Sequence, residues 1–324
     1  MKIKLSFLLF CLFPLLLAAE QCSVCNKKIQ GKFIRTKQGD YCSKQCYHST
    51  QPECENCKNR CLQGSVAMLG KNFCSKRCMH KFFKCAVCGT GLDRVVSVTN
   101  SFGQKIYCCP SCSKKPSCYF CSMPTDRAAL KDGRVICRQC RSQAVTDSSD
   151  IRRIFRDLRE DLAKYYNFNK THHIELVIVD QKRLKKESEK IYTPNGARNM
   201  ALMRYQKKTV TKRFPDGRVK RAVVDEKCRI YVLHTVPLDL LIDSLVHELT
   251  HDHLRHKVGE VMDLASEEGF CELVASLYNE KRGKKYINLG KEKNQDPIYG
   301  DGFRKMRDIY RRTRNLKKTM EQVK

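Results

Sequence analysis

His247-Glu248-Leu249-Thr250-His251 decides how this chain is read. Two histidines four residues apart on a helix lie about 40° apart around its axis, so both imidazoles point the same way. That suits two corners of a tetrahedral Zn²⁺ site. The glutamate beside the first histidine is placed to take a proton from water that the metal acidifies. The apolar, Gly-free run Leu238-Asp239-Leu240-Leu241-Ile242-Asp243-Ser244-Leu245-Val246 leads into the motif as a buried helix. A bare HExxH string also arises by chance, so its neighbours matter.

A third ligand is expected from a second helix. Seventeen residues after His251 comes Glu268, inside Ser266-Glu267-Glu268-Gly269-Phe270-Cys271-Glu272. Glu268 is chosen because its Glu-Gly-Phe string resembles the Asn-Glu-Gly-Phe of zinc aminopeptidases, where that Glu is the ligand. Glu267 is the alternative. Glu272, one turn beyond Glu268, can accept a hydrogen bond from a ligand histidine. The bland reading of Glu267 and Glu268 is a solvated acidic helix start.

The chain holds 21 cysteines, which in an exported protein first suggest disulfides. Their spacing points elsewhere. Cys22-x2-Cys25 pairs with Cys42-x3-Cys46, and Cys54-x2-Cys57 with Cys74-x3-Cys78. Cys85-x2-Cys88 pairs with Cys112 and either Cys108 or Cys109; Cys108 is taken. Cys118-x2-Cys121 pairs with Cys137-x2-Cys140. The opening cysteines recur after 32, 31 and 33 residues, an internal repeat of one small zinc module. In each unit two turns bring four thiolates to one tetrahedral metal. That metal supplies folding energy that the few apolar residues cannot. Tyr41-Cys42-Ser43-Lys44-Gln45-Cys46 and Phe73-Cys74-Ser75-Lys76-Arg77-Cys78 look like a hairpin entering a short helix, as in treble-clef and LIM-type modules. About four structural zinc ions are expected, with a disulfide framework as the alternative. Cys11, Cys61, Cys228 and Cys271 are left over, and Cys271 reads as a buried small residue.

Residues 1–19 read as a secretory signal peptide. Lys2 and Lys4 start it, Leu5 to Ala18 is apolar, and Ala18-Ala19 offers small residues for cleavage. A bilayer span needs roughly 20 apolar residues, and Pro14 interrupts this shorter run, so an anchor is the lesser reading. The expected location is secreted or periplasmic. Net charge is +29. Nucleic-acid binding is one meaning of such charge. The basic residues are spread along the chain, however, and export argues against DNA. No nucleic-acid partner is expected; contact with anionic surfaces is.

The expected division is three tandem modules over residues 20–115, a fourth over 116–145, and the HExxH domain over 146–324. Asp147 or Ser148 caps a helix through about Tyr166, with Ile151, Ile154, Phe155, Leu158 and Leu162 along its core stripe. Ile174 to Val179 reads as a buried strand. Arg229 to His234 is another, placed beside the HExxH helix where an extended substrate would pair with it. His172, His173, His234, His253 and His256 lack ligand spacing and read as structural or exposed.

At this point the chain resembles a known family, the plant LIM-domain metallopeptidases of the DA-one type and their bacterial relatives. Cys118-Tyr119-Phe120-Cys121-Ser122-Met123 and Leu130-Lys131-Asp132-Gly133-Arg134-Val135-Ile136-Cys137-Arg138-Gln139-Cys140 resemble the cysteine module that precedes the peptidase domain. The HExxH string, Glu267-Glu268-Gly269-Phe270-Cys271, Tyr299-Gly300-Asp301-Gly302-Phe303-Arg304 and Arg311-Arg312-Thr313 resemble the motifs that follow. The resemblance implies an α+β fold: a zincin-like metallopeptidase domain after tandem treble-clef or LIM-like zinc modules. It implies a zinc endopeptidase acting on proteins, with one catalytic Zn²⁺ besides the structural ions. Plant members carry ubiquitin-interacting segments. None is found in this sequence, so substrates and activation are not carried over.

The expected chemistry follows. His247, His251 and Glu268 hold the catalytic zinc. Glu248 takes a proton from water and passes it to the leaving amine. Tyr299 and Arg304 are candidates to steady the oxyanion. The cysteine modules would form a docking or regulatory arm, meeting a protein partner. Two rivals stand beside this reading: a non-catalytic zinc-module scaffold, against which the intact Glu248 argues, and a basic zinc-finger protein that binds nucleic acid.

Overall fold

The computed structural model describes residues 21–168, 172–189, 199–214, 218–258 and 262–323. The leader of residues 1–19 lies outside the described residues. Two compact units are present: Met1–Lys84 with Thr90–Asp93, and Cys85–Gly89 with Arg94–Lys324. The third cysteine module therefore belongs with the C-terminal unit.

The first unit repeats one small plan. Strands β1 (Ile34–Thr36) and β2 (Gly39–Tyr41) lead into α1 (Lys44–Ser49); β3 (Val66–Met68) and β4 (Lys71–Phe73) lead into α2 (Lys76–Phe82). Ser43 and Ser75 start these helices alike. Each side chain accepts from the backbone N–H of the cysteine three residues on, Cys46 or Cys78. The cap satisfies a donor that a helix start leaves unmet, and it fixes where that cysteine stands. Apolar burial is slight, centred on Tyr41 and on Phe73 packed against Phe82 and Phe83.

In the second unit, β5 (Val96–Thr99), β6 (Lys105–Cys108) and α3 (Pro110–Ser113) build the third module, and α4 (Arg138–Ser142) closes the fourth. Then come β7 (Ala144–Val145), α5 (Ser148–Tyr166), β8 (Ile174–Val179), α6 (Gln181–Ser188), β9 (Ala201–Arg213), β10 (Val219–Leu233) and β11 (Val236–Pro237). Helices α7 (Leu238–Val258), α8 (Leu264–Lys281), α9 (Asn288–Lys293), α10 (Gly302–Thr313) and α11 (Leu316–Glu321) follow, with a π-helical turn at Pro297–Asp301 before α10. The whole is a mixed α+β chain with tandem cysteine-rich modules.

The sheet order is β8-β10-β9, with β10 parallel to β8 and antiparallel to β9. This corrects the placement of Arg229 to His234 as the substrate-pairing strand. Arg229 to Leu233 is central and paired on both edges. The outer strands among the described residues are β8 and β9, and β9 carries the edge that packs beside the HExxH helix.

The core forms where apolar stripes meet. Asp147 caps α5 through the Ser149 N–H, and Ile151, Phe155, Leu158 and Leu162 are buried. Helix α7 packs on α5, α8 and β9, with Leu241, Leu245 and Val246 fully buried. Helices α8 and α10 approach backbone to backbone. A Cβ on Gly269 would fall 2.3 Å from the Gly302 carbonyl, and one on Gly302 would fall 2.3 Å from the Ala265 oxygen. The glycines of two separate sequence strings are thus one contact, which seats the C-terminal segment on α8, the helix that carries Glu268.

The fourth module is fastened by buried polar groups. Arg134, only 1% exposed, ion-pairs with Asp132 at 2.8 Å and donates to the carbonyls of His234 at 2.9 Å and Thr235 at 3.4 Å. The Tyr119 hydroxyl donates to the Asn199 carbonyl, and β7 pairs with β11.

Candidate metal centres and active site

Four groups of four cysteines converge, each with its sulfurs within 4.8 Å of one another. Sulfur separations are 3.6 Å for Cys25–Cys42 and Cys42–Cys46, 3.5 Å for Cys57–Cys74 and Cys74–Cys78, and 3.7 Å for Cys121–Cys137. Thiolates about 2.3 Å from one tetrahedral zinc stand about 3.8 Å apart. A disulfide needs about 2.05 Å. The groups therefore suit about four structural zinc ions.

The third group corrects the choice of Cys108. Its sulfurs come from Cys85, Cys88, Cys109 and Cys112. Cys108 ends β6 and is fully buried, while Cys109 turns out of the strand as the cap residue of α3. Alternation along a strand separates two neighbouring side chains in this way. Burial pushes the Cys108 thiol up to about 11. The Ser111 hydroxyl and the Cys112 N–H pull Cys109 down to about 6.

The fifth centre is built by two helices. α7 presents His247 and His251, and α8 presents Glu268. His247 Nε2 and His251 Nε2 lie 3.1 Å apart; Glu268 Oε2 is 3.1 Å from the first and 3.4 Å from the second. Ligands about 2.0–2.1 Å from a tetrahedral zinc stand about 3.3 Å apart, so these atoms fit one ion. Cys271 lies close to both histidines as well.

Glu267 faces the other side of this arrangement. Its Oε1 is 2.9 Å from His251 Nδ1, and Arg255 donates to the same oxygen at 3.2 Å. Glu272 Oε1 lies 3.4 Å from His247 Nδ1. Its other oxygen meets Lys291, whose side chain is 10% exposed and which also pairs with Asp243 at 2.9 Å. The His251 ring thus has its second nitrogen hydrogen-bonded to a carboxylate, which fixes its orientation and raises its basicity, whereas His247 Nδ1 stands near one without a hydrogen bond. Glu267, Arg255 and Lys291 carried no sequence signal for these roles. Adjacent helical residues point about 100° apart, and only the helix crossing decides which glutamate meets which nitrogen.

Burial opposes charge throughout this cluster. Even so, the hydrogen bonds from His247 and His251 hold Glu268 well below the usual carboxylate range. Both imidazoles are raised in return, His251 strongly, with Cys271, Glu267 and Glu268 around it. Glu248 differs: burial pushes its carboxyl up, and its Oε2 accepts the Met203 N–H at 2.7 Å.

A cleft of about 260 Å³ opens here, lined among others by Met203, His247, Glu248, His251, Glu268 and Tyr299. The π-helical turn delivers Tyr299, whose ring stacks on His247 with centroids 6.4 Å apart. Burial pushes its hydroxyl up, so it stays a proton donor. Arg304 does not reach the cleft. It donates to the carbonyls of Glu292 at 3.1 Å and Asn294 at 2.6 Å and pairs with Asp301. Its fork is used up in shaping the loop that holds Tyr299. The remaining histidines stand elsewhere: His253 stacks on Phe168, His172 pairs with Asp252 and stacks on His256, and His234 meets Thr235.

No protein-family model matches the chain. It is 24% identical to the LIM domain-containing protein HDR3 of Oryza sativa subsp. japonica, over 80% of this chain and 56% of that protein. It is also 24% identical to Protein DA1 of Arabidopsis thaliana, over 93% of this chain and 66% of that protein. For Protein DA1-related 7 of Arabidopsis thaliana the identity is again 24%, over 79% and 60%. The chain therefore spans between 56% and 66% of the length of these relatives. Running over most of the chain, and joined to four tandem cysteine groups, this weak likeness supports a DA1/LIM-like family.

Proposed function

We propose that the chain is a zinc-dependent protein endopeptidase with a zincin-like domain, and that its tandem cysteine modules dock or regulate. One observation carries this: His247 Nε2, His251 Nε2 and Glu268 Oε2 converge within 3.4 Å, with the buried Glu248 in the same cleft. Zinc held there would polarise a scissile carbonyl and acidify water. Glu248, steadied by the Met203 N–H, takes the proton from the attacking water and delivers it to the leaving amine. The Tyr299 hydroxyl donates to the developing oxyanion. The Met203 N–H points to the open edge of β9, so an extended substrate lies along that edge as an added strand. Residues 1–19 would direct export, and a mature chain beginning near Glu20 in an extracytoplasmic fraction tests that.

The scaffold reading accounts poorly for Glu248. A carboxyl buried with a single backbone donor costs stability, and a binding module has no use for it. Glu248→Gln should keep the zinc and lose peptide hydrolysis by at least about 10²-fold. Elemental analysis beside turnover of a cleaved protein decides it; normal turnover by the variant defeats the peptidase reading.

A further inference from the structure

We infer that the β9–β10 hairpin is a cationic recognition arm, selecting substrates with an acidic stretch about five to ten residues N-terminal to the cleaved bond. The inference rests on the peptidase reading above and names the substrate class for that site.

The hairpin outruns its sheet. β8 accompanies β10 only from Cys228 onward, whereas β9 stays paired with β10 out to Arg213 opposite Val219. From Gln206 on, every β9 residue is exposed. A strand this exposed gains little stability from its own side-chain contacts. Its composition is one-sided: Gln206 to Lys227 holds eight Lys and Arg against three Asp and Glu. Two of those acids are engaged. Asp225 pairs with Lys227 at 3.2 Å, and Glu226 accepts from Tyr205 at 2.7 Å and meets His256 at 3.0 Å. The third, Asp216, lies outside the described residues. Lys208, Lys212 and Arg213 have no carboxylate partner among the described residues.

The arm begins at the cleft. Met203 gives its N–H to Glu248, so that group points away from β10. In an antiparallel strand every second residue turns the same way, so Tyr205 and Lys207 also offer backbone groups to the open edge. A substrate strand on this edge passes the catalytic cluster and continues along the arm. Antiparallel pairing is the more stable arrangement, and it sends the substrate's N-terminal side toward Lys208 and Arg213. Counted from Met203, these lie about five and ten positions along.

Nucleic acid fits less well. Single strands are held by stacking on open aromatic faces. Phe214, at the tip, is already covered by Lys212 at 5.3 Å and Arg218 at 5.6 Å.

The test uses the zinc-loaded, full-length Glu248→Gln protein and fluorescence anisotropy. Three labelled peptides share one central sequence and carry a glutamate block before it, a glutamate block after it, or a glutamine block before it. The first should bind about tenfold more tightly than the third, as expected for a few exposed ion pairs. The advantage should shrink with salt and vanish in Lys208→Glu/Lys212→Glu/Arg213→Glu. The milder Lys208→Gln/Lys212→Gln/Arg213→Gln should reduce it. With active enzyme the same preference should appear in KM more than in kcat. Equal binding of the three peptides overturns the proposal, and so does preference for the block placed after. A single-stranded oligonucleotide that outbinds every peptide at the same salt overturns it too. Binding is read without hydrolysis. If the active chain cleaves nothing yet the first peptide binds best, the peptidase reading fails and the cationic arm stands.

Discussion

Arg134→Met should be among the most damaging single changes in the second unit. The substitution keeps a long apolar stem and strips three donors. The carbonyls of His234 and Thr235 lose a partner. Asp132, whose side chain is 3% exposed, becomes a buried carboxylate left with the Arg134 and Gln181 backbone N–H groups, at 3.2 and 3.3 Å, and His234 Nε2 at 3.6 Å. Breaking a buried ion pair costs about 3–5 kcal/mol, and each lost hydrogen bond from the charged guanidinium to a carbonyl at least about 1 kcal/mol, less for a long one. The expected loss is about 4–6 kcal/mol, comparable to the whole stability of many domains. Adding Asp132→Asn removes the stranded charge, and replacing both members of a buried pair is often close to neutral. The double variant should therefore recover about half of the loss. Hydrogen exchange of the zinc-loaded full-length chain, followed on peptides from β10 and α7, reads this directly. Protection should fall by about 10³-fold or more in Arg134→Met, since tenfold corresponds to about 1.4 kcal/mol. Protection within about tenfold of wild type would refute the reasoning. A double variant no better protected than the single one would refute it as well, and that arm remains readable if the single variant barely folds.

Other outcomes follow from the site. Glu267→Ala should weaken the fifth zinc about 10–100-fold by freeing His251 Nδ1, and Glu268→Ala should weaken it further; zinc retained against graded chelator ranks the two. If the proposed His-His-Glu zinc joins the four cysteine sites, the chain should hold five zinc ions, and elemental analysis of Cys109→Ser should find four and of Cys108→Ser five. Gly269→Ala should force α10 away from α8, because its Cβ would sit 2.3 Å from Gly302; it should lose turnover and thermal stability together. Tyr299→Phe should keep zinc and fold yet lower kcat about 10²-fold, and unchanged kcat would remove Tyr299 from the mechanism.

Legibility in the sequence followed how much each segment buries. The stripe Ile151, Phe155, Leu158 and Leu162 and the run Ile174 to Val179 announced α5 and β8, because one face or both lie in the core. α7 was legible as an apolar run entering a ligand motif. β9 was not. Past Tyr205 it leaves the core, so nothing imposes apolar alternation on Gln206 to Arg213. Cys108 and Cys109 could not be separated, since spacing alone allows either and the end of β6 decides. Arg134 looked like any surface arginine in a basic chain; its burial depends on carbonyls about a hundred positions away. Arg304 shared a string with Tyr299, yet only the tyrosine enters the cleft.

The four cysteine repeats also show why a shared motif does not mean a shared role. All four gather four sulfurs. The difference lies in the hairpin turns between the cysteine pairs. β1 and β2 are joined by Lys37-Gln38, and β3 and β4 by Leu69-Gly70, turns of two residues each. β5 and β6 are joined by Asn100-Ser101-Phe102-Gly103-Gln104. Asn100 Oδ1 accepts from the N–H groups of Phe102 and Gln104 and pins this longer turn. Phe102 then meets Tyr286 edge-on at 5.6 Å, and the Ser101 carbonyl approaches Gly290 so closely that a Cβ there would be 2.8 Å away. Ser101 also bonds the fourth module through its N–H to Cys121 and its hydroxyl to Ser122. Tyr286 in turn donates to Asp239 in the first turn of α7, the helix that carries His247, Glu248 and His251. The third and fourth modules thus reach the HExxH helix through direct contacts within one compact unit. What the ligand spacing repeats is a way to fold a short segment around a metal; the length of one turn makes the third copy part of the framework that carries the HExxH helix.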